Sequence, residues 1–194
     1  MPFTWLFSQP LVFGAWVVAI LVSLTIHEFS HAATALAFGD DTAKAQKRLS
    51  LNPLVHIDPL GFILLLTAGF GWAKPVPVNP YNLRPQRLGS AMVSLAGPFS
   101  NLIFIILSVL ILKIITPALG GANLLVNFVF MLALINLTLF LFNLIPLPPL
   151  DGSKVLYAIL PARFGEFKEK MERTGPFILF ALIIADSFLN IGIF

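Results

Sequence analysis

Residues 11–38 read LVFGAWVVAILVSLTIHEFSHAATALAF. The run is apolar except for His27, Glu28, His31 and a few small polar residues, and it exceeds the ~20 residues needed to cross a ~30 Å hydrocarbon core. It begins too late, and is too long, for a secretory signal, and no basic residue precedes it, so it reads as a mature span. An ionisable triplet in such a place is expensive. It persists where its members pair, face a water-filled cavity or bind a metal, so the stretch that decides the fold class also marks a functional site.

The rest of the chain agrees with a membrane solvent. Of 194 residues, 58% are hydrophobic and 11% charged, less than half the roughly 25% charge of a soluble domain, which excludes an ordinary soluble globule. There is no cysteine, so disulfides and thiolate metal sites are excluded and any metal is held by nitrogen and oxygen. The net charge of +3 comes from basic residues scattered in loops rather than gathered in a patch. That pattern points to membrane lipid as the partner and away from nucleic acid.

Further spans are expected at 88–112, 123–145 and 174–194. Residues 60–72 are too few for an ordinary span, and their continuation carries Pro75, Pro77 and Pro80, which cannot donate helical hydrogen bonds. The segment 60–80 is therefore expected to form a short re-entrant β-hairpin turning at Gly69–Gly71, with its prolines along an edge. The alternative is a short interfacial helix and a stiff linker. With no span there, the loop from Gly39 to Arg87 and the loop from Pro146 to Arg173 share one side and hold eleven of the twelve basic residues, leaving Lys113 opposite. The positive-inside rule makes both loops cytoplasmic and both termini extracytoplasmic. The expectation is an all-α polytopic membrane protein: about four transmembrane helices plus the hairpin, in a single domain over residues 1–194.

On a helix, His27 and His31 lie four residues apart on one face with Glu28 close beside them, the HExxH zincin spacing. Two imidazoles leave a catalytic zinc site one protein ligand short. His56 and a carboxylate are the candidates. Asp151 stands out because it follows Asn143 and the prolines at 146, 148 and 149, on the same side of the membrane as His27. It would equally serve as the N-cap of a following helix.

Three stretches, HEFSH at 27–31, SLAGPFSN at 94–101 and NLIPLPPLDG at 143–152, together resemble the site-2 protease family of intramembrane zinc metalloproteases. LNPLVHIDPLG at 51–61 and GWAKPVPVN at 71–79 are similar to one compact prokaryotic branch. The resemblance covers about residues 15–160. It implies one zinc ion per chain held by His27, His31 and Asp151, with Glu28 as general base. It also supports Asn143 as an oxyanion donor. Asn101 is expected to hydrogen-bond between helices in support of the site; His56 is left out of the metal shell, either behind the site or facing substrate, or equally a loop histidine with its hydrogen bonds satisfied locally. Pro75, Val76, Pro77 and Val78 are expected to hold an unwound substrate strand by β-augmentation. The implied activity is endopeptidase cleavage of transmembrane or membrane-proximal peptides near the cytoplasmic face, in the inner membrane. Larger relatives carry a soluble sensory domain for which this sequence shows no segment. Competing readings are a zinc-binding but inactive protein that recognises transmembrane helices, and a metal-ion transporter. Glu28 argues against the first, and the apolar outer halves of the spans against the second.

Overall fold

The computed structural model describes residues 2–189. Among them there are helices and no β-strand: α1 (Pro2–Ser8), α2 (Pro10–Ala37), α3 (Thr42–Ala45), α4 (Pro59–Ala68), α5 (Gln86–Leu119), α6 (Leu124–Asn143), α7 (Asp151–Ile159) and α8 (Gly165–Leu189). Three of these, α2, α5 and α6, are long and apolar enough to cross a membrane. They pack on one another, and α7 packs against α5. At 34 residues α5 is about 51 Å long, so it tilts in, or projects beyond, a ~30 Å core.

The burial pattern is that of a protein solvated by lipid. Along α5 the large apolar side chains Phe99, Ile103, Ile106, Leu110 and Ile114 are exposed, whereas Gly89, Ser94, Gly97, Ser100, Asn101 and Ser108 are buried. Lipid is as apolar as leucine, so helices in it gain by close approach of small residues and by hydrogen bonds between them. The interior of the bundle is accordingly small and polar.

The expected hairpin at 60–80 is not formed. Its first arm is the helix α4, started by Asp58, whose side chain accepts from the Gly61 N–H at 2.9 Å, with Pro59 at the first helical position. Gly69, at φ +79°, ends it. These are a helix's start and stop signals, and they outweigh the apparent strand pattern between them. Only the second arm is extended. It makes one antiparallel bridge, Ile57 with Ala73, reinforced by the Lys74 N–H donating to the His56 carbonyl at 2.8 Å. The arm folds back on α4 where Gly61 and Gly71 meet, leaving no room for a Cβ on either.

The span expected at 174–194 begins inside α8, whose first part, Gly165–Arg173, is charged and whose apolar part starts at Thr174; residues 190–194 lie outside those described. Gly175 packs on Pro148.

Candidate metal centre

Helix α2 presents His27, Glu28 and His31 on its buried face, within its C-terminal half. The loop after α6 brings the fourth group. The chain turns through Pro146, Pro148 and Pro149, and Gly152 lets the start of α7 sit against the Leu144 and Ile145 carbonyls, where any Cβ would collide with backbone. Asp151 is the first residue of α7. It does not cap that helix: the N-cap position belongs to Leu150, and the Asp151 carboxylate turns instead to the histidines. The other end of α7 is fixed by cations. Arg87 donates to the carbonyls of Ala158, Ile159 and Leu160 at 2.8–3.2 Å, and Lys168 to that of Tyr157 at 2.6 Å. Positive charge there also complements the negative end of the helix dipole.

The three ligand atoms form a near-equilateral triangle. His27 Nε2 and His31 Nε2 are 3.0 Å apart, and Asp151 Oδ2 lies 3.2 and 3.1 Å from them. His31 Nδ1–H donates to the Val93 carbonyl and His27 Nδ1–H to Asn101 Oδ1, each at 2.7 Å. In neutral rings so protonated, both Nε2 atoms carry bare lone pairs. Asp151 Oδ2, buried and without a hydrogen-bond donor among the described residues, adds a third acceptor to the same point. Three acceptors in contact repel unless a cation sits among them. Zinc bonds of about 2.0–2.1 Å place tetrahedral ligand atoms about 3.3–3.4 Å apart, close to the spacing here. The donor set therefore fits zinc, and His27, His31 and Asp151 form a buried group that could bind the ion. A proton in place of the metal gives an imidazolium facing a carboxylate. Burial pushes the Asp151 carboxyl up, but the imidazoles outweigh it and hold the group below the usual carboxylate range.

Gly97 is the floor under this triangle. A Cβ built there would lie 2.6 Å from His27 Nε2 and closer still to His31 Nε2, so only glycine lets α5 pass behind the site.

Glu28 faces the extended arm, where its Oε2 accepts from the Val76 N–H at 3.1 Å. Both line a cavity of about 870 Å³ whose lining also includes His27, His31, Asp151 and Asn143 together with Trp72, Pro75 and Val78. Asn143 donates one amide hydrogen to the Leu139 carbonyl at 3.0 Å. His56 is 2% exposed, donates from Nε2 to the Ser50 carbonyl at 2.8 Å, and borders an adjoining apolar cavity of about 330 Å³ between α2, α4 and α6.

Four participants were not anticipated from sequence. Asn136 and Ser23 extend the hydrogen bonding behind His27. The available signal was a second asparagine in mid-span, since polar side chains there seldom lack a partner. Arg48 and Asp40 tie down the two ends of the arm: Arg48 Nη2 donates to the Lys74 carbonyl at 2.6 Å, and Asp40 accepts from the Asn79 N–H at 2.7 Å and from Asn82 Nδ2 at 3.0 Å. Nothing local in the sequence announces either contact.

A model of Peptidase family M50 matches residues 112–185, which include Asn143 and Asp151. The chain is 44% identical over 173 residues to "Putative zinc metalloprotease YwhC" of Bacillus subtilis, covering 86% of this chain and 78% of that one. It is 35% identical over 183 residues to "Putative zinc metalloprotease Rip2" of Mycolicibacterium smegmatis (91% and 68% covered) and 33% identical over 157 residues to "Putative zinc metalloprotease MJ0611" of Methanocaldococcus jannaschii (78% and 75%). No solved structure matches it. Apolar spans and a nitrogen and oxygen cluster of zinc geometry thus meet a relative that is similar over most of both chains, and the protein belongs to peptidase family M50, the site-2 protease family of membrane zinc metalloproteases.

Proposed function

We propose that this protein is an intramembrane endopeptidase that cuts transmembrane or membrane-proximal segments near the cytoplasmic face. The observation that carries the reading is the convergence of three bare ligand atoms on one point inside a bundle of spanning helices, with a further carboxylate, Glu28, on the wall of the same cavity. Zinc held there supplies Lewis acidity, which lowers the pKa of water and polarises a carbonyl. Glu28 takes the proton from the attacking water and returns it to the leaving amine. The Val76 N–H on Oε2 orients that carboxylate. Asn143 has a second amide hydrogen with which to stabilise the oxyanion.

A transmembrane helix satisfies its own amides, so a protease reaches the scissile bond only after local unwinding. The extended arm, not a hairpin, receives the unwound segment: Pro75 and Pro77 have no N–H, so the arm presents carbonyls for the substrate's freed amides. The cytoplasmic placement follows from charge. His27 lies near the end of α2 that leads into the basic loop 39–87, which supports a site on the inner side of the cytoplasmic membrane with both termini outside.

The test is to purify the wild type and Glu28→Gln, measure bound zinc, and assay cleavage of a panel of single-span peptides. Equal zinc with cleavage only by the wild type is expected; equal cleavage by both sinks the mechanism. Replacing residues 75–78 with Gly-Ser sequence is expected to reduce cleavage at unchanged zinc content, whereas loss of zinc as well would make the arm structural.

A further inference from the structure

Behind His27 runs a hydrogen-bonded chain that crosses all three packed spans. His27 Nδ1 meets Asn101 Oδ1 at 2.7 Å, Asn101 Nδ2 donates to Asn136 Oδ1 at 2.7 Å, and Asn136 Nδ2 donates to Ser23 Oγ and to the Leu132 carbonyl, both at 2.8 Å. Ser23 Oγ in turn donates to the Ala19 carbonyl at 2.7 Å. Asn101, Asn136 and Ser23 are at most 1% exposed.

The direction of this chain is set at its far end. Two backbone carbonyls, Ala19 and Leu132, can only accept. Ser23 spends its one hydrogen on the first, so its oxygen accepts from Asn136; the second holds the other hydrogen of the same amide. Both Asn136 hydrogens are thereby committed away from Asn101, and its oxygen faces Asn101. Asn101 must then give its N–H to Asn136 and its oxygen to His27. An Asn101 turned the other way would point N–H at His27 Nδ1. That would demand a lone pair on Nδ1, move the ring hydrogen to Nε2, and cover the lone pair that the metal needs.

We propose that Asn136, backed by Ser23 and acting through Asn101, is a positioning residue that locks His27 in the Nδ1–H tautomer and so keeps Nε2 open to zinc. The inference rests on the zinc centre described above. Neutral amides suit the task in lipid. A carboxylate behind the ring, the common partner of a zinc-bound histidine, would add a third negative charge to Asp151 and Glu28 at a depth where a buried charge is costly. An amide adds none, but it has a wrong end, and Asn136 is what excludes the wrong end. His31 needs no such lock because its partner is the Val93 backbone carbonyl, which has no donor end to turn.

The two histidines provide the control. Zinc affinity is measured by chelator competition on detergent-purified wild type, Asn136→Leu and the double variant Asn101→Asp/Asn136→Leu. Imidazole N–H signals of His27 and His31 are followed in the nitrogen-15-labelled proteins before zinc is added. Asn136→Leu is expected to weaken zinc binding about 10- to 100-fold, the usual cost of losing an outer partner, and to remove the His27 Nδ1–H signal while that of His31 stays. The carboxylate that Asn101→Asp introduces in the double variant has no donor end, so the second substitution is expected to return affinity to within a few-fold of wild type. Wild-type affinity in Asn136→Leu, no rescue by Asn101→Asp, or joint loss of both imidazole signals would each overturn the lock. Absence of zinc binding by the wild type would instead overturn the metal centre itself.

Discussion

Two polar assemblies flank the candidate metal centre, one inside the bundle and one in the basic loop, and they are built from different chemistry. Inside, His27, Asn101, Asn136 and Ser23 use neutral amides and a hydroxyl, fully buried and paired end to end. In the loop, the arm beside Glu28 is held at one end by a guanidinium, Arg48, and at the other by a carboxylate, Asp40, both nearly or fully buried. The difference follows from where the cost of charge is met. A loop near the aqueous face can hold an ion against backbone donors and acceptors at modest expense, whereas in mid-span each ion is costly and neutral amides take its place. The inner assembly holds the candidate metal ligand His27; the outer one holds the arm. Zinc content and cleavage are therefore separable readouts.

The largest effect is expected where the inner assembly meets backbone. Gly97→Ala puts a methyl group within 2.6 Å of His27 Nε2. Neither helix can retreat without breaking α2 to α5 packing, and a displacement near 1 Å at such a site costs on the order of 10²-fold. Bound zinc and cleavage should fall together by at least that factor, as read by metal analysis of the purified protein. A variant that kept full zinc would show that α5 gives way and that the close approach does not hold the ligands.

Next comes Arg48→Met in the outer assembly. It removes a charge-assisted hydrogen bond to the Lys74 carbonyl, typically about 1.5–3 kcal/mol, and with it a positive charge that acts on Glu28. If the arm receives substrate, KM should rise about 10-fold or more while zinc content stays at the wild-type level. A fall in zinc would merge the two assemblies into one.

How far these parts were legible from sequence divides along the same line. Three of the spans, the His27–His31 spacing and the aspartate after the prolines could be read because each is a local pattern or a side-of-membrane argument. Asn101 could be read as an interhelical partner because a polar residue in lipid must find one. The arm was misread in its first half: Asp58-Pro59 and Gly69 signal a helix, but the prolines from 75 onward and the shortness of the apolar run drew residues 60–68 into a hairpin. Asp40 and Arg48 were not legible at all, since each acts on residues 26–42 positions away and loop charges usually face water.

Asp40 gives the outer assembly a pH dependence. Burial pushes its carboxyl up, but hydrogen bonds from the Thr42 side chain, Asn82 and the Asn79 and Thr42 backbone outweigh this, and the group is held below the ordinary carboxylate value. A folded-state value below the unfolded one means stability that is fully present above about pH 4 and is lost as pH falls through the folded value. Thermal unfolding in detergent should show that acid loss in the wild type. Asp40→Asn should be less stable at neutral pH, by about 1–3 kcal/mol for donors left facing an amide, and flatter below about pH 4. Equal acid slopes in both proteins would place the acid sensitivity elsewhere.

The smallest effect tests how the inner chain gets its direction. Ser23→Ala removes one acceptor from Asn136 but leaves the other, the Leu132 carbonyl. One buried N–H then lacks a partner, and interhelical hydrogen bonds of this kind are worth about 0.6 kcal/mol on average in membrane proteins. The Asn136 amide still cannot reverse, because turning it would set its oxygen against a carbonyl oxygen. Zinc affinity in Ser23→Ala should therefore drop by only a few-fold, well short of Asn136→Leu. Equal losses in the two variants would mean that the serine hydroxyl, and not the helix backbone, decides which way the amides point.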